Sequence, residues 1–207
     1  MQTSPIVRAL RAGAVCATGV LVLLGCGGND SSADPRGERL AAVPVAAGSI
    51  TTSGISSGGY MAVQFHVAHS ALVSGVGVLA AGPYYCAQNS LSHALGRCMK
   101  GDEPIAVDEL VGITSELALA DRIDPIANLA DDRVWIFLGG ADAVVGRPVV
   151  DALQEYYELL VDPRGVQRTE LAAAGHTFPS ASTNLQDCGK TATPFVGSCG
   201  FDGARQL

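Results

Sequence analysis

The chain contains little positive charge and no long apolar run. Its 207 residues include 13 Lys and Arg against 20 Asp and Glu, and the basic residues form no cluster. Nucleic-acid binding requires clustered cations that neutralise phosphates, so this class of function is excluded. No uninterrupted apolar run reaches the roughly 18 residues of a membrane-spanning helix, which excludes a protein with several such helices. Apolar residues nevertheless make up 48% of the chain, which predicts a folded core.

The N-terminus resembles a bacterial export signal. Arg8 and Arg11 precede a stretch of almost wholly apolar or small residues over positions 12–25, which suits the apolar part of a signal peptide. The stretch ends in LLGC at positions 23–26, and this is similar to the lipobox of bacterial lipoproteins, where cleavage precedes a cysteine that carries the lipid. We therefore predict a lipid on Cys26.

Three regions follow from this interpretation. Residues 1–25 form a lipoprotein signal peptide, residues 26–41 a lipidated cysteine and flexible tether, and residues 42–207 a folded domain. The protein would be exported and lipid-anchored to a bacterial membrane, in the periplasm or at the cell surface. The alternative is a plain secretory signal cut after Ala33, which gives a secreted protein.

Four cysteines remain in the folded domain, Cys86, Cys98, Cys188 and Cys199. Export implies an oxidising compartment, so these residues are candidates for disulfides, with three possible connectivities. Pairing between sequence neighbours would close loops of 12 and 11 positions. A zinc site would need C-x-x-C or nearby histidines, and neither spacing occurs, so we predict no metal site.

Strand and helix patterns alternate along the domain. The patterns predict strands over residues 49–53, 73–79, 133–138 and 167–172, and helices over residues 58–72, 107–120 and 148–160. Residues 82–101 and the chain after Thr177 read as loops. In the first helix, Met61, Phe65, Ala68 and Leu72 share one face at helical spacing. The alternation predicts an α/β fold with a mainly parallel sheet.

The first candidate for chemistry is Ser56, in Gly54-Ile55-Ser56-Ser57-Gly58. This G-x-S-x-G pattern lies between a predicted strand and a predicted helix, where a nucleophilic serine sits on a sharp, strained turn. Such a turn predicts that the residues two before and two after the serine must lack side chains. It also places the backbone N–H of Ser57 where it can stabilise an oxyanion. The alternative is an ordinary Gly/Ser turn.

The second candidate is Asp142, which follows the apolar strand 133–138 through Gly139-Gly140-Ala141. Active-site groups of parallel α/β sheets lie at the carboxyl ends of the strands. The alternative is a helix N-cap or turn aspartate, which is the usual role of this residue. Asp124, Asp131 and Asp132 precede the strand and would lie at its wrong end.

The third candidate is His176, in the loop after the last predicted strand. A serine nucleophile needs a histidine base that is oriented by a carboxylate, and a loop allows the histidine to reach both. His66 and His69 could mark a metal pair but have no evident third ligand, so we expect them to be packed or solvated. His93 has no supporting context. The order Ser, Asp, His is that of α/β-hydrolases and predicts a serine esterase without a cofactor.

The segments around these residues resemble bacterial and fungal poly(3-hydroxybutyrate) depolymerases. The similar segments are SGISSGGYMAVQFHVAHS, AAGPYYCAQ, VWIFLGGADAVV, AGHTFPS and CGFDGA. The resemblance implies Ser56 as nucleophile, His176 as base and Asp142 as the residue that orients it. It implies a polyester polymer or oligomer as substrate, and the disulfides Cys86–Cys98 and Cys188–Cys199.

The resemblance also implies a circularly permuted fold. Only 29 residues separate Cys26 from Ser56, so the strands that usually precede the nucleophile do not fit there and would follow the histidine. We therefore expect a C-terminally truncated domain with about four strands and little activity of its own. Two alternatives remain open. One is another carboxylester hydrolase, similar to feruloyl or acetyl-xylan esterases, and the other is a non-catalytic lipoprotein remnant.

Overall fold

The computed structural model describes residues 44–46 and 48–207. The predicted signal peptide, the lipid on Cys26 and the tether lie outside the described residues, so they stay predictions. Within the described part of the chain, no helix combines the length and the apolar character needed to span a membrane.

A parallel sheet of four strands forms the centre of the domain. The strands are β1 (Ile50–Ile55), β2 (Val73–Leu79), β3 (Arg133–Gly139) and β4 (Val166–Leu171), in the spatial order β1-β2-β3-β4. All three pairings are parallel, with Gly77 opposite Ser53 on one side and Trp135 on the other. The predicted α/β class and the count of about four main strands are confirmed.

The major helices connect these strands and cover one face of the sheet. They are α1 (Ser57–Ala68), α3 (Val107–Leu119) and α4 (Arg147–Glu158), with a short helix α2 (Leu91–Leu95) ahead of α3. Alternate strand residues such as Val78 and Ile136 pack with Val63, Leu110 and Leu153 from the three longer helices. Because successive side chains of a strand point to opposite faces, this core uses only one side of the sheet.

The face of α1 that carries Met61 and Phe65 is not the face that packs on the sheet. Met61 is 66% exposed and Phe65 39% exposed, whereas the buried positions are Gly59, Ala62, Val63, His66 and Val67. The helix lies so close to the sheet that a Cβ at Gly59 would be 2.9 Å from the Leu79 carbonyl oxygen. Small and β-branched side chains fit this gap, and the larger ones point outward. The helix also ends at Ala68, four residues before the predicted end.

The other sheet face is covered by the C-terminal part of the chain. Leu79, Trp135 and Phe137 pack there against Ala174, and Phe201 stacks on Trp135 with ring centroids 6.4 Å apart. The chain after Thr177 is not only loop as predicted. It forms a second parallel sheet of short strands, β5 (Phe178–Ser180), β6 (Gln186–Asp187) and β7 (Val196–Ser198), in the order β5-β7-β6. Strands of two or three residues leave no readable alternation in a sequence.

Two disulfides join the pairs Cys86–Cys98 and Cys188–Cys199, as the family resemblance implies. The first closes residues 86–98 around α2, a short helix within the predicted loop 82–101. The Ser90 side chain accepts a hydrogen bond from the backbone N–H of His93 at the start of this helix. The second disulfide closes a loop that contains Thr191 and Phe195.

Candidate active site

Ser56 occupies a strained turn between β1 and α1. Its φ is 56° and its ψ is −124°, a conformation that costs a non-glycine residue on the order of 1–3 kcal/mol. Hydrogen bonds hold the turn on both sides, because the Ser56 N–H donates to the Leu79 carbonyl and the Ser56 carbonyl accepts from the Tyr60 N–H, each at 2.9 Å. The side chain is thereby presented at the carboxyl end of the sheet, as the G-x-S-x-G pattern predicts.

The glycines around Ser56 do not all serve the turn. A Cβ at Gly54 would collide with the backbone of Gly58, and one at Gly59 would meet Leu79, Ala81 and Gly54. At Gly58 a Cβ would have no neighbour within 4 Å. The prediction that the residue two after the serine must lack a side chain is therefore wrong, and the close approach instead requires Gly54 and Gly59.

Asp142 fills both of the roles considered for it. Its Oδ1 accepts hydrogen bonds from the backbone N–H groups of Val144 at 2.8 Å and Val145 at 3.0 Å. Its Oδ2 lies 2.8 Å from Nδ1 of His176. The Asp142 side chain is 1% exposed, so the turn holds a buried carboxylate against the histidine.

Hydrogen bonds hold both the backbone and the ring of His176. The His176 N–H donates to Thr191 Oγ1 at 3.0 Å, and the preceding Gly175 N–H donates to the Cys188 carbonyl at 3.0 Å. Because Nδ1 faces the Asp142 carboxylate, it carries the proton, which leaves Nε2 of the neutral ring as an acceptor. Thr191 was not predicted from the sequence, because its partner lies 15 positions away and no motif marks it.

Ser56, Ser57 and His176 line one cavity of about 760 Å³. Its remaining walls are mostly apolar and consist of Ile55, Val144, Phe178, Thr191, Pro194, Phe195 and Val196. Within the described residues, no hydrogen bond of 3.5 Å or less joins Ser56 Oγ to His176; such bonds often tighten only when substrate is bound. The sequence indicated the polar residues, whereas the aromatic wall became visible only in the fold.

The other histidines and aspartates singled out in the sequence lie elsewhere. His66 is fully buried, with Nε2 at 3.0 Å from Asp132 Oδ2 and Nδ1 at 3.0 Å from the Tyr157 hydroxyl. Burial lowers the pKa of His66 to about 4. Burial, together with the nearby Asp131 carboxylate, raises the pKa of Asp132 to about 6.

His69 is exposed and lies beside Phe65 instead of joining His66 in a metal pair. Nδ1 of His93 accepts a hydrogen bond at 3.1 Å from the guanidinium of Arg97. In the part of the chain that the structure describes, no group of three or more His, Cys, Asp or Glu is placed to hold a metal ion.

The chain is similar in sequence to two curated depolymerases, although no family model matches it. It is 42% identical over 153 residues to poly(3-hydroxybutyrate) depolymerase of Delftia acidovorans, an alignment that covers 73% of this chain and 31% of that protein. It is 32% identical over 159 residues to polyhydroxybutyrate depolymerase of Talaromyces funiculosus, covering 75% of this chain and 45% of that protein. The chain thus spans less than half the length of these relatives.

Solved structures show the same fold. The PHB depolymerase from Penicillium funiculosum matches with a TM-score of 0.70 and 28% identity, over 78% of this chain and half of that one. A PHB depolymerase with a serine-to-alanine substitution, complexed with an R3HB trimer, matches with the same values. The chain therefore resembles poly(3-hydroxybutyrate) depolymerases in both sequence and fold.

Proposed function

We propose, from this resemblance to poly(3-hydroxybutyrate) depolymerases, that the chain carries the nucleophile, base and orienting acid of a serine-dependent polyester hydrolase. The observation that carries the proposal is that His176, whose Nδ1 is paired with the buried Asp142, lines the same cavity as Ser56 in its strained turn. The substrate would be poly(3-hydroxybutyrate)-type polyesters or their oligomers.

In the first half of the proposed reaction, Ser56 becomes acylated. Nε2 of His176 removes the proton from Ser56 Oγ as the oxygen attacks the ester carbonyl carbon. Asp142 keeps the ring in the tautomer with the proton on Nδ1 and stabilises the imidazolium that forms. The carbon–oxygen bond of the ester then breaks, and His176 returns the proton to the departing alcohol oxygen.

The second half releases the acid. A water molecule gives a proton to Nε2 of His176 while its oxygen attacks the acyl carbon, and the bond to Ser56 Oγ breaks as the serine takes that proton back. In each half the carbonyl oxygen becomes negatively charged. We assign Ser57 as a donor of the oxyanion hole, because its N–H begins α1 directly after the nucleophile and the helix dipole favours an anion there.

The composition of the cavity walls favours an uncharged substrate. Apart from His176, no lining residue bears a side chain that ionises near neutral pH, so the cavity suits alkyl and ester groups more than charged ones. Both disulfides fit an exported protein, because such bonds persist in oxidising compartments. Attachment to a membrane through Cys26 belongs to this proposal as its location, with secretion as the alternative.

The test is covalent labelling followed by substrate comparison. A fluorophosphonate is expected to modify Ser56 in the wild-type protein and to leave Ser56→Ala unmodified, while Ser57→Ala stays labelled because only its backbone N–H is required. Labelling at Ser57, or at no serine, would refute the assignment. Release of 3-hydroxybutyrate from granules or oligomers, compared with hydrolysis of feruloyl and acetyl esters, then separates polyester cleavage from another esterase activity.

A further inference from the structure

We propose that Phe195 is a specificity-determining residue, whose ring limits the size of the alkyl substituent on the acyl group that enters the cavity. This inference rests on the hydrolysis proposed above. Neither the predicted site residues nor the similarity to known depolymerases assigns a role to this side chain.

The first observation is the position of the ring. Phe195 lines the cavity together with Ser56 and His176, and its ring stands edge-on to the His176 imidazole, with centroids 6.4 Å apart and an interplanar angle of 82°. Phe195 is 40% exposed, so this residue is partly buried and partly open to solvent where it lines the cavity. An acyl group bound in this cavity with its ester carbon at Ser56 therefore lies in a space that this ring helps to enclose.

The second observation is the backbone. Phe195 has a φ of 58°, in the left-handed region that costs a bulky residue about 1–2 kcal/mol and that glycine adopts freely. Its N–H donates to the Ala192 carbonyl at 2.7 Å, and its carbonyl accepts from the Phe178 N–H at 2.8 Å. These two bonds hold the backbone, and with it the direction of the Cα–Cβ bond, in the strained conformation, and a glycine here would relieve the strain but remove the ring.

The third observation is how firmly the segment is held. The Cys188–Cys199 disulfide closes the loop that carries Phe195, and Thr191 of the same loop binds the His176 backbone. The ring thus belongs to a fixed wall and cannot easily yield to a larger acyl group. Shortening this side chain should open space beside His176 without changing the groups that react.

The experiment compares the acyl-chain preference of four proteins: wild type, Phe195→Ala, Phe195→Tyr and Leu185→Ala. The measured quantity is the ratio of kcat/KM for p-nitrophenyl octanoate to that for p-nitrophenyl butyrate, which does not depend on how much of the protein is folded. Leu185 is a matched control because it is 37% exposed in the same C-terminal region and does not line the cavity.

We expect Phe195→Ala to raise the ratio about tenfold or more, since removing apolar wall atoms changes discrimination between alkyl groups by such factors. Phe195→Tyr keeps the ring and Leu185→Ala leaves the cavity intact, so both should retain the wild-type ratio. If Phe195→Ala does not fold, Phe195→Leu should still raise the ratio. An unchanged ratio in whichever of these two variants folds overturns the assignment.

Equilibrium binding distinguishes this inference from the proposed function. Binding of the two esters is measured on Ser56→Ala with and without Phe195→Ala, where no hydrolysis by Ser56 occurs. A shift in binding preference without any wild-type hydrolysis would reject the proposed reaction and keep the role of Phe195. If the wild type hydrolyses the esters but neither the kcat/KM ratio nor the binding preference shifts, the proposed reaction stands and the role of Phe195 is rejected. A protein that neither binds nor hydrolyses the esters would overturn the proposed reaction and the role of Phe195.

Discussion

Nε2 of His66 lies 3.0 Å from Oδ2 of Asp132, which makes a second histidine–carboxylate pair at the opposite end of the sheet from Asp142 and His176. Asp132 directly precedes β3, whereas Asp142 follows it. His66 is fully buried, and its Nδ1 lies within hydrogen-bond distance of the Tyr157 hydroxyl, at 3.0 Å. With both nitrogens occupied, His66 links α1 to the start of β3 and to α4, while His176 keeps Nε2 free for a proton.

This buried pair predicts a specific pH dependence of stability. The pKa of Asp132 is about 6 in the folded chain and near 3.8 unfolded, so the folded state binds the extra proton between these values. The contribution of Asp132 to stability is therefore complete below about pH 4 and is lost as the pH rises through 6. His66, with its pKa lowered to about 4, contributes in the opposite direction, because the unfolded chain takes up its proton first.

Asp132→Asn should separate the two contributions. We expect its free energy of unfolding, relative to wild type, to fall by about 1–2 kcal/mol as the pH drops from 6 to 4, because the full pKa difference takes effect only over a wider pH range. Urea unfolding at a series of pH values measures this difference. Asp131→Asn is the control, with a much smaller effect because that carboxylate acts on Asp132 only through charge. Parallel curves for Asp132→Asn and wild type would contradict the prediction.

Gly54→Ala and Gly58→Ala should behave differently although both glycines flank Ser56 in the same motif. The new Cβ at position 54 meets the Gly58 backbone, so the turn must shift, and a displacement of this kind can cost on the order of 10²-fold in rate. At position 58 the Cβ meets nothing, and alanine should stabilise α1 by about 0.5–1 kcal/mol. Fluorophosphonate labelling rates and thermal unfolding measure the two effects, and equal loss of labelling in both variants would argue against the geometry.

Asp142→Asn and Asp142→Ala should separate the two roles of this residue. An asparagine oxygen can still accept from Val144 and Val145, but its amide group presents the wrong partner to Nδ1 of His176, so we expect hydrolysis to fall by about 10⁴-fold with little loss of stability. Alanine also removes the turn bonds and should lower the free energy of unfolding by a further 1–2 kcal/mol or so. Rates and denaturation are measured on the same samples. A stable, fully active Asp142→Asn would exclude Asp142 as the orienting acid.

The two disulfides should contribute differently to activity. Each closes a loop of about a dozen residues and should stabilise the fold by roughly 2–3 kcal/mol. Replacing Cys188 and Cys199 by serine should in addition raise KM, because their loop carries Thr191 and Phe195 beside His176. Replacing Cys86 and Cys98 should lower Tm with a smaller change in KM. If replacing Cys86 and Cys98 changes KM more than replacing Cys188 and Cys199, the Cys188–Cys199 loop does not fix the cavity.

The sequence predicted best those features that depend on short-range pattern. Buried strands such as β3 are continuous apolar runs, and the turn at Ser56 has a local glycine signature, so both could be placed in advance. The exposed face of α1 could not, because Met61 and Phe65 point away from the sheet for lack of room at Gly59. The wall at Phe195 depends on a disulfide, a strained φ and strands of three residues, which act between distant positions and leave no periodic trace.

The stacking of Phe201 on Trp135 influences when the site can assemble. Trp135 belongs to the central strand pair, and Phe201 follows it by 66 positions, so the two rings can meet only after the C-terminal segment has been synthesised. Contacts between distant positions form slowly, because closing a long loop costs chain entropy before the new contacts can stabilise the fold. His176 is tied to this segment through Cys188 and Thr191. Ser56 is therefore synthesised 120 positions ahead of its proposed base, and without that base its hydroxyl stays a weak nucleophile until the last part of the chain has folded.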